Sequence, residues 1–464
     1  MNSNVDGAGS LTKGIGKFVS RLEFGALSPT DLSTLKYGIM DCLACVIAGA
    51  TEPVTRIVLD KIVNASLAGG TATIFGHSVR SSPLGAALAN GVMAHACDFD
   101  DVSDPMCGHP TAPALPAILA AGELAECSGR DVILAYAAAI EVMGKLGRAA
   151  GFELYKSGWH ATAALGVFGA AAGASKILGL GEEHTATAIG IAASRVTGIR
   201  ANIGTMVKPM HCGFAARDGL EAALLAAAGA TASSDALGGS NGFLDTYVPQ
   251  RNRSVDVVSL LGNPFDIRSP GIVFKKYPSC LDTHSAIDAI LELRDRHDIQ
   301  PENVKQVRCL LAPGVGGDLA YHAPQEPIEG KFSMEFCSAV ALARGRVTLA
   351  EFSQDVVDDP EVRRLIGLSK LDFDSELTNP DPRSFCASAR VEVSLVDGRV
   401  LKNTVDHMRG HPQNPMTEHE FVSKFKDCAG AVLSASQIGR VLTLIEDLEH
   451  LSDMRLLTSE LAGE

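Results

Sequence analysis

From Trp159 to Ser175 the chain runs without an Asp, Glu, Lys or Arg, and Gly166, Gly169 and Gly173 recur in it at three- and four-residue steps. A spacing of three to four is that of one helical face, and glycines along such a face let a neighbouring helix come close. The run is shorter than the ~20 residues that a membrane-spanning helix needs. It therefore reads as a core helix of a tightly packed helical body. Composition points the same way: 46% of residues are apolar but only 5% are aromatic, so small side chains must fill the core. At 464 residues the chain exceeds one compact core, and two domains are expected.

The pattern is helical almost throughout from about residue 10 to 260. Ser28 is a candidate N-cap with Pro29 at the first helical position and Asp31 in the first turn. Similar starts recur at Ser82-Pro83, Gly129-Arg130-Asp131 and Gly181-Glu182-Glu183. After about residue 262 the composition changes. "NVKQVRCLLAP" reads as a strand, and "ARVEVSLVDGRVLKNTV" reads as a hairpin with alternating Val391, Val393 and Leu395 and a two-residue Asp397-Gly398 turn. Helical segments are expected near 333 to 344 and 348 to 367. The tail returns to helix, with Thr417 as a cap and an amphipathic stretch from Ser434 to Leu451. The expected fold is mainly α: an all-α domain over 1–265 completed by helices in 408–464, and an α+β domain over 266–407.

A net charge of −14 argues against nucleic acid and against an anionic membrane surface as partners. A small anionic ligand would need cations gathered locally. The eleven cysteines are scattered, and the Cys42/Cys45 pair sits in an apolar helical stretch, so buried free thiols and a reducing compartment are expected. The opening "MNSNVDGAGSLTKG" has no apolar h-region, which points to a cytoplasmic protein.

Four polar stretches interrupt apolar sequence. "DFDDVSDPMCGHPTAP" (98–113) ends one helix and places His109 near the start of the next, where exposed N–H groups favour an anion. Its bland alternative is a capping histidine after a solvated acidic turn. Asp100, Asp101 and Asp104 also spell DDxxD, the magnesium-diphosphate pattern, but no second acidic motif accompanies it. His160 in "SGWHATAALGVFGA" follows a glycine and opens a long apolar helix; a core or capping histidine is the alternative. Lys208 in "GTMVKPMHCGFAARDGL" reads as a cation in a nearly uncharged loop with no acid nearby, followed by Pro209 and His211. In "IVFKKYPSCLDTH", Lys275 and Lys276 precede Tyr277-Pro278, with His284 beyond; a solvated lysine pair is the alternative. Together these residues suit a pocket for a small di- or tricarboxylate: cations for carboxylates, helix ends for developing charge, and histidines to move a proton. No HxH, HxxxH or second CxxC supplies a companion metal ligand at a usual spacing, so a metal-free site is expected.

"AHACDFDDVSDPMCGHPTAPALPAILAAGE", "GWHATAALGVFGAAA", "GTMVKPMHCGFAAR", "FKKYPSCLDTH" and "KFSMEFCSAVAL" resemble, in that order, the blocks of the MmgE/PrpD family. That family includes 2-methylcitrate dehydratase, cis-aconitate decarboxylase and iminodisuccinate epimerase. The resemblance implies a large all-α domain, a smaller α+β lid domain, a homodimer and a cofactor-free active site. It implies catalytic roles for Asp98, His109, His160 and Lys208, and substrate binding by Lys275, joined in this reading by His211 and His284. Asp98 would orient a histidine. The decarboxylase-like members carry Thr after "DFDD" and Tyr in the block matching "KFSMEF", where this chain has Val102 and Phe336. The expected reaction is accordingly dehydration of the 2-methylcitrate type, with epimerisation, cis-aconitate decarboxylation and a catalytically inactive helical dimer as alternatives.

Overall fold

The computed structural model describes residues 10–251, 254–377 and 388–463, so the first nine residues of the stretch searched for a leader lie outside it. The fold is mainly α with two small sheets. The chain divides into two compact units, one of Met1–Ile272 with His419–Glu464 and one of Val273–Glu418.

Six helices organise the first unit: α1 (Pro29–Gly49), α2 (Pro83–Ala96), α3 (Thr111–Ala125), α4 (Gly129–Ala150), α5 (Ala161–Ile177) and α6 (Val207–Ala227). Their starts follow from local chemistry. Ser28 and Asp31 form a capping box on α1, and Ser128 and Asp131 form one on α4, one residue ahead of the expected start. Each such cap is worth ~1 kcal/mol. Helix α1 is long and apolar enough by composition to cross a bilayer, yet 72% of its most apolar window is buried and it carries the buried Asp41.

Helix α5 is the centre that its glycines foretell. A Cβ on Gly166 would meet Pro113 at 2.5 Å, on Gly169 the Met143 sulfur at 2.4 Å, and on Gly173 Ile118 at 2.5 Å. Those neighbours belong to α3 and α4, so each glycine admits a neighbouring helix. One departure from all-helix is a small antiparallel pair, β1 (Ala68–Thr73) with β2 (Arg80–Ser81). The described cysteines, Cys42 and Cys45 among them, are free, and all but the half-buried Cys280 are buried.

The second unit is a four-stranded sheet covered on its apolar face by α7 (His284–His297), α8 (Met334–Arg344) and α9 (Pro360–Leu368). Strand order is β4 (Ser369–Phe373), β3 (Val304–Leu311), β5 (Ala389–Leu395), β6 (Val400–Val405). The β5/β6 hairpin is antiparallel, with Val391 opposite Asn403, while β3 and β4 are parallel, with Val307 opposite Ser369. Two expectations need correction here. The hairpin loop is Val396-Asp397-Gly398 rather than two residues, because Gly398 takes φ +91° and Leu395 pairs with Arg399. The segment 348 to 367 is not one helix: Asp359 caps a new start at Pro360. Strand β4 is an addition that the sequence did not announce.

Candidate active site

Helix α2 ends at Ala96, and Asp98 enters the left-handed region at φ +53°, with its N–H donating to His95 O at 3.2 Å. Aspartate is among the few side-chain-bearing residues that adopt this conformation readily. The four residues of the turn then face four different partners. Asp98 pairs with Lys208. The Phe99 carbonyl accepts from Lys424 Nζ at 2.8 Å, and that ammonium also pairs with Asp41 at 2.6 Å and lies 3.8 Å over the Phe99 ring. Asp100 accepts from His95 Nδ1 at 2.9 Å and lies 3.2 Å from His109 Nδ1. Asp101 accepts from the Thr111 N–H at 3.2 Å and from the Thr111 hydroxyl. Asp98, Asp100 and Asp101 are all buried, so the solvated-turn alternative fails. Asp100 and Asp101 also serve different partners, which removes the DDxxD reading.

His109 precedes the Pro110 cap of α3, and its N–H donates to Thr162 Oγ1 at 3.1 Å. His160 is the N-cap residue of α5, but its side chain makes no capping bond. Its Nδ1 instead lies 3.0 Å from Nδ1 of His211. Lys208 is not in a loop: it is the second residue of α6, where Pro209 costs nothing because first-turn N–H groups lack helical partners. His211 follows three residues later on the same helix face. Gly198, at φ +95°, lies against both rings: a Cβ there would meet the His160 Cβ and the His211 Cγ at 3.4 Å.

Sequence reasoning missed His95, which completes the group. Ring centroids run His109 to His95 at 4.5 Å, His95 to His160 at 5.8 Å and His160 to His211 at 5.2 Å. His95 and Asn90 are the only strongly polar side chains in the otherwise apolar α2, which was the available signal. Two expectations are corrected: Lys208 lies in a helix rather than a loop, and it has an acid, Asp98, beside it.

Charge and burial set the protonation states. Burial lowers His95 to about 4, and Lys208 and His109 add to the shift against the pull of Asp100. His160 is pushed well below its usual range by burial, then by His95, Lys208 and His211. Burial and Lys208 lower His211 as well. Burial alone would raise Asp100, but His95 and His109 outweigh it and hold the carboxyl well down. Burial pushes Asp101 well up.

Lys275 and His284 belong to the second unit. Lys275 is buried at 1% exposure, so it is no solvated lysine. His284 opens α7 fully buried, with Nε2 donating to Ser279 O at 3.4 Å and its ring edge-on to Tyr277. Phe336 lies in the apolar core of this unit against Phe352.

His95, Asp100 and His109 bring one ligand atom each within 4.8 Å of one another. Two imidazoles and a carboxylate are a donor set for a divalent cation, and His95 is the companion ligand that spacing rules overlooked. His95 Nδ1 and the Asp100 carboxylate already hydrogen-bond each other, and the Lys208 ammonium places positive charge beside them.

Residues 13–256 match the model of the MmgE/PrpD N-terminal domain, and residues 277–450 match that of the MmgE/PrpD C-terminal domain. The chain is 29% identical to a cis-aconitate decarboxylase of Homo sapiens, over 98% of this chain and 95% of that protein. It is 32% identical to a cis-aconitate decarboxylase of Aspergillus terreus, over 92% of this chain and 91% of that protein. A cis-aconitate decarboxylase-like protein of Aspergillus oryzae is 26% identical over 98% of both chains.

Proposed function

The chain belongs to the MmgE/PrpD family, and from that premise we propose a lyase that decarboxylates a cis-aconitate-like tricarboxylate by way of a carbanion next to a carboxylate. The observation that carries this reading is the line of four imidazoles, three buried and His109 half-buried, beside the Lys208–Asp98 pair. Breaking the carbon–carboxylate bond releases CO₂ and leaves an electron pair that spreads over the double bond and the neighbouring carboxylate. The Lys208 ammonium stabilises that charge in a site where burial strengthens it. One proton delivered to carbon by His109 or His160 completes the reaction, and the lowered affinity of His160 for its proton makes it a strong acid whenever it carries one. Asp98 holds Lys208 in place. Lys275 is assigned to substrate binding on the family pattern, His211 and His284 by their sequence settings, and a homodimer belongs to the same reading.

This ranking departs from the one drawn from Val102 and Phe336. Phe336 is a core residue of the second unit, so its missing hydroxyl carries no information about the reaction. Val102, buried beside Asp101, offers no hydrogen-bond donor, and it alone sustains a second reading as a dehydratase or epimerase. Nuclear magnetic resonance of cis-aconitate, 2-methylcitrate, citrate and iminodisuccinate incubated with the enzyme in D₂O separates the two. CO₂ and a dicarboxylate bearing one deuterium are expected from cis-aconitate. Dehydration or α-proton exchange without CO₂ would replace this reading with the second.

A further inference from the structure

Asp100 is completely buried, and two imidazoles present the same nitrogen to it. His95 Nδ1 lies 2.9 Å from both carboxylate oxygens, and His109 Nδ1 lies 3.2 Å from Oδ2. An ionised carboxylate can only accept. His95 must therefore carry its proton on Nδ1, and His109 must do so for its nitrogen to close on the carboxylate. For His109 the consequence is chemical, because a neutral ring protonated at Nδ1 has a bare Nε2, and a ring protonated at both nitrogens has an Nε2–H to give.

The contrast with His160 sharpens the point. Its Nδ1 faces another imidazole, which can donate or accept, so no carboxylate fixes its tautomer. His95 differs again: its Nε2 is buried with no hydrogen-bond partner among the described residues. Only the Asp100 side of this ring is engaged. A ring so placed has one evident task, to hold the Asp100 carboxylate. His109 Nδ1 is within reach of Asp100 but not aligned for a full hydrogen bond, a state from which catalytic contacts commonly tighten when substrate binds.

We propose that His95 and Asp100 are a positioning pair for the proposed lyase reaction: His95 clamps Asp100, and Asp100 fixes the tautomer and orientation of His109. This extends the proposed function above and rests on it for the reacting group. His95 and Asp100 act through His109 and are not themselves catalytic residues.

The test uses the full-length enzyme and three variants. Asp100→Asn can donate as well as accept, so it admits the wrong His109 tautomer; kcat should fall at least ~10²-fold with KM within about threefold. His95→Leu removes the clamp and should lose a comparable factor. His95→Asn keeps an N–H near the place of Nδ1 and should recover to within about tenfold of wild type. Equal losses in His95→Asn and His95→Leu, or a change confined to KM, would overturn the proposal. Nitrogen-15 spectra of ring-labelled histidines give a readout that needs no substrate: His109 should be the Nδ1–H tautomer in wild type and a mixture in Asp100→Asn. A His109 found as Nε2–H in wild type overturns the pair whatever the reaction. A wild type without turnover on any of the four acids overturns the proposed function alone. One equivalent of a divalent cation in the purified wild type, lost in Asp100→Asn, would make these residues ligands and end the positioning reading.

Discussion

Among the buried polar clusters of the first unit, two hold a lysine in apolar sequence, and only one of them looks like chemistry. In the first, Lys145 donates to Asp266 and to the Pro264 carbonyl, both at 2.8 Å, and lies 3.3 Å from Glu141. Glu141 accepts from the N–H groups of Gly262 and Asp266, both at 2.7 Å, and Arg148 reaches Asp266 at 3.0 Å. Two cations meet two anions, and the cluster staples 262–266 to α4. In the second, Lys208 and Asp98 stand among four imidazoles, two of which, His95 and His109, keep a buried nitrogen without a full hydrogen bond. Lys145 is more deeply buried than Lys208. A lysine in apolar sequence therefore does not mark a site by itself. The imidazoles, groups that can both give and take a proton, make the difference.

The comparison can be broken most easily at the histidines. His109→Gln and His160→Gln should each lower kcat/KM by ~10²- to 10⁴-fold with little change in thermal stability, the usual range for acid–base groups. Mild and equal losses would return both rings to a structural role.

Exchanging the lysines comes next. Lys208→Met should cost ~10²- to 10³-fold in kcat and lower the melting temperature less than Lys145→Met does, because only one buried carboxylate, Asp98, loses its ammonium. Lys145→Met should do the reverse, because it leaves Asp266 and Glu141 buried without their ammonium at a cost of ~3–5 kcal/mol. Paired melting curves and kinetics on both variants decide it, and a stable but inactive Lys145→Met would erase the distinction.

Acidity sharpens it further. His95, His160 and His211 all have folded-state pKa values below the unfolded value near 6.5. The unfolded chain therefore binds protons that the folded chain refuses, so stability is full above about pH 6.5 and falls as pH drops toward 4. His95 alone, lowered to about 4, contributes about 3 kcal/mol to that loss. Burial raises Glu141, which acts in the opposite sense. Denaturant melts across this window should flatten in His95→Asn and not in Glu141→Gln.

The smallest expected effect is none: dialysis against EDTA should leave turnover unchanged. Activity lost to the chelator and restored by a divalent cation would turn His95, Asp100 and His109 into a metal centre.

Much of this was legible from short-range pattern. The Ser28 cap, the α5 glycines and the β5/β6 alternation are local signals, and each appears where the sequence puts it, while the α4 start is off by one residue. His109, His160 and Lys208 were marked by their helix-end settings, and their rings and ammonium do gather in one unit. The misses have a common physical cause. Lys208 finds Asp98 across 110 positions, and β4 joins β3 by parallel pairing. Neither leaves a trace in neighbouring residues. His95 was passed over because a lone histidine in an apolar helix reads as filler until Asp100 is seen folding back onto it.

The Lys424 contact has a consequence for how the enzyme comes into being. That ammonium reaches the Phe99 carbonyl from 325 positions downstream, between the residue that holds Lys208 and the one that holds His95. On the ribosome, which releases the chain from its N-terminus at ~5–20 residues per second, the turn at 98 to 101 waits some tens of seconds for its support. Until the helix Glu418–Ala429 emerges, Asp41 has no Lys424 ammonium beside it and the turn lacks its anchor. Nascent chains thus lack a finished site until that helix has been made.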